Sequence, residues 1–159
     1  MILKALNMTE DDLMPGLPIE WVSTGFPTLL VPIKDLNTMK SIKIDLDLGR
    51  TVSQKENLLH AFTLESFNAD SIAFSRNFFP DITEDEDAAT GTSTGALASY
   101  LFKHGLLNGK DLEHLAFDQG HQMGKPSRLI VKLQTTDGTI EKVWVGGNCG
   151  VIKEFEIEL

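Results

Sequence analysis

Cysteine, basic charge and long apolar runs are what this sequence has least of. A single cysteine, Cys149, leaves no internal disulfide to form, and a reducing compartment, the cytoplasm, is the expected location. Lys and Arg total 14 against 23 Asp and Glu, a net charge of −9. Such a surface repels phosphate backbones, which excludes nucleic acid as a partner. No stretch approaches the ~20 apolar residues of a membrane span, so no membrane partner is expected. Met1–Asn7 holds neither a long apolar run nor a cleavage pattern, which argues against a signal peptide. No nucleophile elbow, phosphate loop or dinucleotide fingerprint occurs. His60, His104, His114 and His121 lack metal-ligand spacing, so no zinc site is expected. The acidic run Thr83–Asp87 lacks the central glycine and distal glutamate of a calcium loop and reads as solvated. Cys149 has no base nearby in sequence and reads as a buried, inert thiol.

What remains is 159 residues with 42% hydrophobic content, enough for one domain with a core. Residues 2–14 read as a short helix. Ile19–Thr24 and Thr28–Ile33 read as strands joined over Gly25-Phe26-Pro27. Asp35–Ser41 reads as a short helix, and Asp45–Asn57 as helix and loop without a clear pattern. Leu58–Glu65 and Ser71–Phe78 read as an antiparallel strand pair. Asp111 offers a helical turn before a strand at His114–Phe117. Arg128–Gln134 and Ile140–Val145 form a hairpin over Thr135-Thr136-Asp137-Gly138-Thr139, because Asp-Gly is a strong turn signal. Gly146–Gly150 bends the chain into a last strand, Val151–Glu158. The class is α+β: a mostly antiparallel sheet wrapped round one buried helix.

That helix is predicted from about Ala89 to a left-handed stop at Gly105, because Ala96–Phe102 is apolar on nearly every side. Its first turn is preceded by small hydroxyl residues, Thr90, Thr92 and Ser93, with Asp87 at the lip. Free N–H groups and the positive end of the helix dipole make this an anion cradle. Two readings stand side by side. Asp87 either moves a proton on a small carboxylate held there, or is a cap that satisfies the first N–H groups. Ser23-Thr24-Gly25 is either a plain turn or a second set of donors, Thr24 and Gly25, facing the helix. Gly146-Gly147 either bends the chain or lets backbone approach a ligand at Gly147. His121, in a glycine-bounded loop, either reaches a ligand or is a surface or packing residue, the commoner case.

Several segments together resemble one family. They are Arg76-Asn77-Phe78-Phe79-Pro80, Glu86-Asp87-Ala88-Ala89-Thr90-Gly91-Thr92-Ser93, Gln119–Ser127, Val143-Trp144-Val145-Gly146-Gly147, and upstream Val22–Pro32. Their order and spacing are similar to those of the phenazine-biosynthesis PhzF-like family, whose fold is that of diaminopimelate epimerase. The resemblance implies isomerase chemistry on a small carboxylate-bearing molecule, by proton transfer with neither metal nor organic cofactor. It makes Asp87 the acidic residue of this half and puts Thr92 in place of a serine that helps hold the substrate. Gly91 and Thr92 would then offer N–H groups to a carboxylate. Ala88 replaces the family's usual proline, and Lys125 an arginine whose bidentate fork is lost. A reactive cysteine ahead of the helix, as in cysteine-type epimerases, is not here.

Family members are about twice this length, so the resemblance makes residues 1–159 the second of two facing domains, with residues 1–15 in the helical connection. No position here corresponds to the family's general-base glutamate. The expected partner is a matching N-terminal domain. The alternative is a non-catalytic module that binds a small anion or pairs with a second copy of itself as a homodimer.

Overall fold

The computed structural model describes residues 1–53, 58–79 and 86–148. Cys149, the expected strand Val151–Glu158 and the acidic residues 81–85 lie outside the described residues. Among the described residues, eight strands form one sheet: β1 Glu20–Ser23, β2 Pro27–Pro32, β3 Leu58–Thr63, β4 Ala73–Phe78, β5 Glu86–Asp87, β6 Leu115–Gln119, β7 Ser127–Thr136 and β8 Thr139–Gly146. The order is β1-β2-β3-β4-β6-β7-β8, with β5 added on β4. Pairings β2/β3 and β4/β6 are parallel, and the others are antiparallel. The helices are α1 Ile2–Ala5, α2 Leu36–Ser41, α3 Leu46–Ser53 and α4 Gly91–Lys103.

The sheet curls around α4, which touches β1 and β2 on one side and β7 and β8 on the other. Alternation along the strands sends one set of side chains inward. Leu30, Phe62, Ala73, Phe117, Val131 and Leu133 meet Leu97, Ala98, Tyr100 and Leu101 of the helix. The other set, Leu29, Val31, Leu59, Ala61, Phe74 and Phe78, is covered by Leu6, Met8, Met39 and Ile42. Both faces of β3 and β4 are therefore buried.

Eight of the 13 residues of α4 are buried. The helix stops where Gly105 turns left-handed at φ +72°. Leu106 N then donates to Leu101 O at 2.9 Å and Gly105 N to Phe102 O at 3.0 Å, a Schellman closure. The cover is not complete: Thr92 and Lys103 are exposed and Ser99 half-buried, a thin stripe between the sheet edges β1 and β8. The β7–β8 turn is tighter than the spacing suggested. Its two residues, Asp137 and Gly138, both have positive φ, which suits the twist of the flanking strands.

Other elements differ from expectation. The helix over 2–14 is only α1, because Asn7 takes a positive φ of 53° and breaks it. Thr9 and Asp12 then cap each other around a single 3-10 turn, and Leu13 bridges to Ile33 of the sheet. Asp111 starts only a turn, closed by His114 N to Asp111 O at 3.2 Å. The following strand runs past Phe117 to Gln119, and that extension shapes the site.

Candidate functional site

The approach to α4 is built from β5 and the turn after it. On the outer face of β4, Arg76 grips Glu86 with Nε at 3.0 Å and Nη2 at 2.7 Å. Its Nη1 donates to the carbonyls of Met39 and Ile42 at 2.9 and 3.0 Å, tying β5 to the α2 region. Asp87 follows, opposite Asn77 on the inner face. It is exposed, and its carboxylate accepts from the Thr90 hydroxyl and from Ala89 N, the latter at 3.4 Å.

Gln119, at the end of β6, clamps this turn from below. Its Nε2 donates to Asp87 O at 2.8 Å and to Thr90 Oγ1 at 3.0 Å, while its Oε1 accepts from Thr90 N at 3.3 Å. Gly120 lets the clamp close. Its φ is +77°, and a Cβ there would lie 2.3 Å from Lys125 O and 2.7 Å from Ala88 O. The glutamine and glycine that open the Gln119–Ser127 motif are thus the seat of the Asp87 turn. Spacing alone did not reveal Gln119, because its partners lie 29 to 32 residues away.

The expected site residues divide by position. Thr90 is the N-cap residue of α4, and its hydroxyl, engaged with Asp87, makes no cap hydrogen bond. The first-turn N–H groups, beginning at Gly91, thus have no intrahelical acceptor. Thr92 stands exposed on that turn. Ser93 points inward instead: it is fully buried, with its Oγ 3.5 Å from Thr28 Oγ1. Thr24 and Gly25 are exposed, and Thr24 Oγ1 would lie 3.6 Å from a Cβ on Gly95, one turn into the helix.

Gly91 and Gly147 line one cleft of about 730 Å³ with Ala89, Ser127, Arg128 and Val145. Asp87 and Thr92 do not line it. Arg128 brings a cation to the cleft, although its guanidinium is paired with Asp70, which raises its pKa. A second hollow, of about 590 Å³, lies over the C-terminal half of α4 between β1 and the start of β8.

His121 packs against two aromatic rings. Its ring stacks on Phe67 at 4.0 Å and meets the edge of Phe74 at 5.6 Å. Asp118 is a loop organiser. Burial pushes its carboxyl up, but hydrogen bonds from Ser66, Asn68 and Ser71 outweigh that and hold it below the usual range. Among the described residues, no group of His, Cys, Asp and Glu is arranged to hold a metal ion, and no helix is long and apolar enough to cross a membrane.

Comparison with known proteins fits this architecture. Residues 1–154 match the family described as phenazine biosynthesis-like protein, PhzC-PhzF. The uncharacterized isomerase YddE of Escherichia coli K12 is 29% identical over 161 residues, covering 99% of this chain and 54% of that protein. The trans-2,3-dihydro-3-hydroxyanthranilate isomerase of Pseudomonas fluorescens is 29% identical over 149 residues, covering 92% of this chain and 49% of that protein. A Bacillus anthracis phenazine biosynthesis protein of the PhzF family superposes with a TM-score of 0.74 at 24% identity, covering 91% of this chain and 49% of the other. A predicted epimerase from Pseudomonas aeruginosa gives 0.65 at 26% identity, covering 95% and 51%. The chain spans about half the length of the curated relatives it matches. Its mostly antiparallel sheet around α4 is the α+β, diaminopimelate epimerase-like fold. On these matches, and on motifs that meet at the start of one buried helix, the chain belongs to the phenazine biosynthesis-like, PhzC-PhzF family.

Proposed function

We propose that this chain is one half of a cofactor-independent isomerase that moves a proton on a small carboxylate-bearing molecule. The observation that carries the reading is the clamped turn. Gln119 and Gly120 fix Asp87 at the head of α4, beside first-turn N–H groups that the N-cap side chain does not bond. A carboxylate suits those N–H groups and the positive helix end, with Gly91 and Gly147 letting backbone approach it closely. Thr92 adds a hydroxyl on the exposed side of the same turn, while Thr24 and Gly25 flank the next. Asp87 accepts or delivers the proton. The opposing base belongs to a matching N-terminal domain, since this half has no counterpart of the family's glutamate. The isomerase names of the relatives support the reaction class.

The experiment has two arms. Benzoate serves as a carboxylate probe, and the amide signals of Gly91 and Thr92 are followed by NMR. Shifts confined to this turn are expected; unmoved signals at saturating benzoate end the anion-site reading. Supplying the complementary half of a relative should then give deuterium incorporation into a candidate carboxylate, and Asp87→Asn should abolish it. Full exchange in that variant removes Asp87 from the mechanism.

A second reading has its own support. Trp21 on β1 and Trp144 on β8 are 46% and 43% exposed on the two strands that end the sheet among the described residues. Edges of this kind invite a partner, so the chain pairs either with a matching N-terminal domain or with a second copy of itself. Light scattering at high concentration that returns the mass of one chain excludes the self-paired form.

A further inference from the structure

β5 is two residues long, and Asp87 is one of them. Its ladder sets Glu86 opposite Phe78 and Asp87 opposite Asn77. So short a ladder does little to hold a register, and a slip of one residue sends every side chain of a strand to the other face. Asp87 would then leave the side that carries Thr90, and Glu86 would take its place. A choice between two neighbouring carboxylates therefore needs something beyond the main chain of β5.

The outer face of β4 supplies it. Arg76 stands two residues before Phe78, the partner of Glu86, so the two side chains are diagonal neighbours on one face. Nε and Nη2 of Arg76 each donate to a different oxygen of Glu86, at 3.0 and 2.7 Å. Paired bonds of this kind fix direction as well as distance. Nη1 donates to Met39 O and Ile42 O at 2.9 and 3.0 Å. Those carbonyls belong to the last turn and the C-cap of α2, where intrahelical donors run out. The guanidinium also lies over the Phe78 ring, 5.0 Å from its centre. With all three nitrogens engaged it is a fixed point, and the strand must come to it. In a slipped register Asp87 would face the fork with a side chain one methylene too short.

We propose that Arg76 is a positioning residue for Asp87: its fork on Glu86 sets the register of β5, and so decides that the aspartate and not the glutamate faces the first turn of α4. Gln119 pins the turn that follows β5; Arg76 pins the strand itself. The register stands apart from the anion-site reading given above, while its consequence for the site rests on that reading.

Two mild variants of the full chain test it. Arg76→Lys keeps the charge and loses the fork. Glu86→Gln keeps the size but sets an amide N–H against Nη2, and it leaves the α2 carbonyls their donor. It decides alone if Arg76→Lys does not fold. NMR of the wild type should show the cross-strand contact between Asn77 and Asp87. In both variants that contact should be lost, while the contact between Leu59 and Phe78 across β3 and β4 stays. An Asn77–Asp87 contact that persists in a folded variant overturns the register role. Benzoate then reads the consequence. In the wild type it should shift the carboxyl carbon-13 signal of Asp87 together with the amides of Gly91 and Thr92. In the variants the amides should still respond and the Asp87 signal should not, whereas general loss of structure would silence all three. An Asp87 signal that still moves in a folded variant overturns the positioning role. So does a wild-type Asp87 that ignores benzoate while Gly91 and Thr92 respond. If benzoate moves none of the three in the wild type, the anion-site reading falls with its consequence, and the Asn77–Asp87 contact still decides the register.

Discussion

Gln119 reaches from the last position of β6 to the main-chain oxygen of Asp87, 2.8 Å away, and binds a sheet strand to the residue that opens the helix approach. The same side chain makes two further bonds to Thr90. Gln119→Leu removes all three and leaves the buried Thr90 N–H without its acceptor. The expected loss is about 2 kcal/mol of unfolding free energy. Urea denaturation measures it, and benzoate binding should weaken in the same variant.

Gly120 is fixed by two independent demands. Its φ of +77° is strained for any other residue, and the space a Cβ would need is occupied by backbone oxygens that cannot swing away. Gly120→Ala should cost at least about 2 kcal/mol. Gly109, also at positive φ but with nothing within 4 Å of its Cβ position, serves as the control. Equal melting shifts for the two alanine variants would count against a crowded Gly120.

The Arg76–Glu86 pair is nearly out of water, with side-chain exposures of 10% and 11%. Truncating one member of such a pair leaves the other buried and unmatched. Arg76→Leu also deprives the carbonyls of Met39 and Ile42 of a donor. A loss of about 3–5 kcal/mol is expected, read from a denaturant midpoint that falls while the slope holds.

His60 predicts a pH dependence with a definite sign. Burial holds its pKa at about 4 when folded, against ~6.5 when unfolded. Between those values the unfolded chain binds the extra proton, so stability falls as pH drops from roughly 6.5 towards 4. The full loss is about 3 kcal/mol, of which about 2 should appear between pH 7 and pH 5. The carboxylates with lowered pKa, Asp12, Glu20, Asp35, Asp70 and Asp118, lose their stabilising effect only at lower pH. His60→Gln should flatten the slope above pH 5; an identical slope in both proteins would reassign the effect.

Local signals were the legible ones. Asp137-Gly138 set the β7–β8 turn through two positive φ values, and Gly105 marked the stop of α4, because each acts over a few residues. The inward direction of Ser93 was not readable. A helix apolar on nearly every side carries no stripe to fix its rotation, so only the sheet decides which hydroxyls of Thr90, Thr92 and Ser93 meet solvent. The Gln119 clamp was hidden for a related reason. Its partners are near in space but distant along the chain, and glutamine has no sequence pattern of its own.

Because α4 is also the link between the parallel strands β4 and β6, the sheet's final order depends on where that helix lies. β6, and with it the β7–β8 hairpin, takes its place beside β4 as the intervening segment packs. Refolding should therefore proceed as one slow, all-or-none step with no populated half-sheet, since the contacts that reward closing the longest loop form together with the helix that closes it.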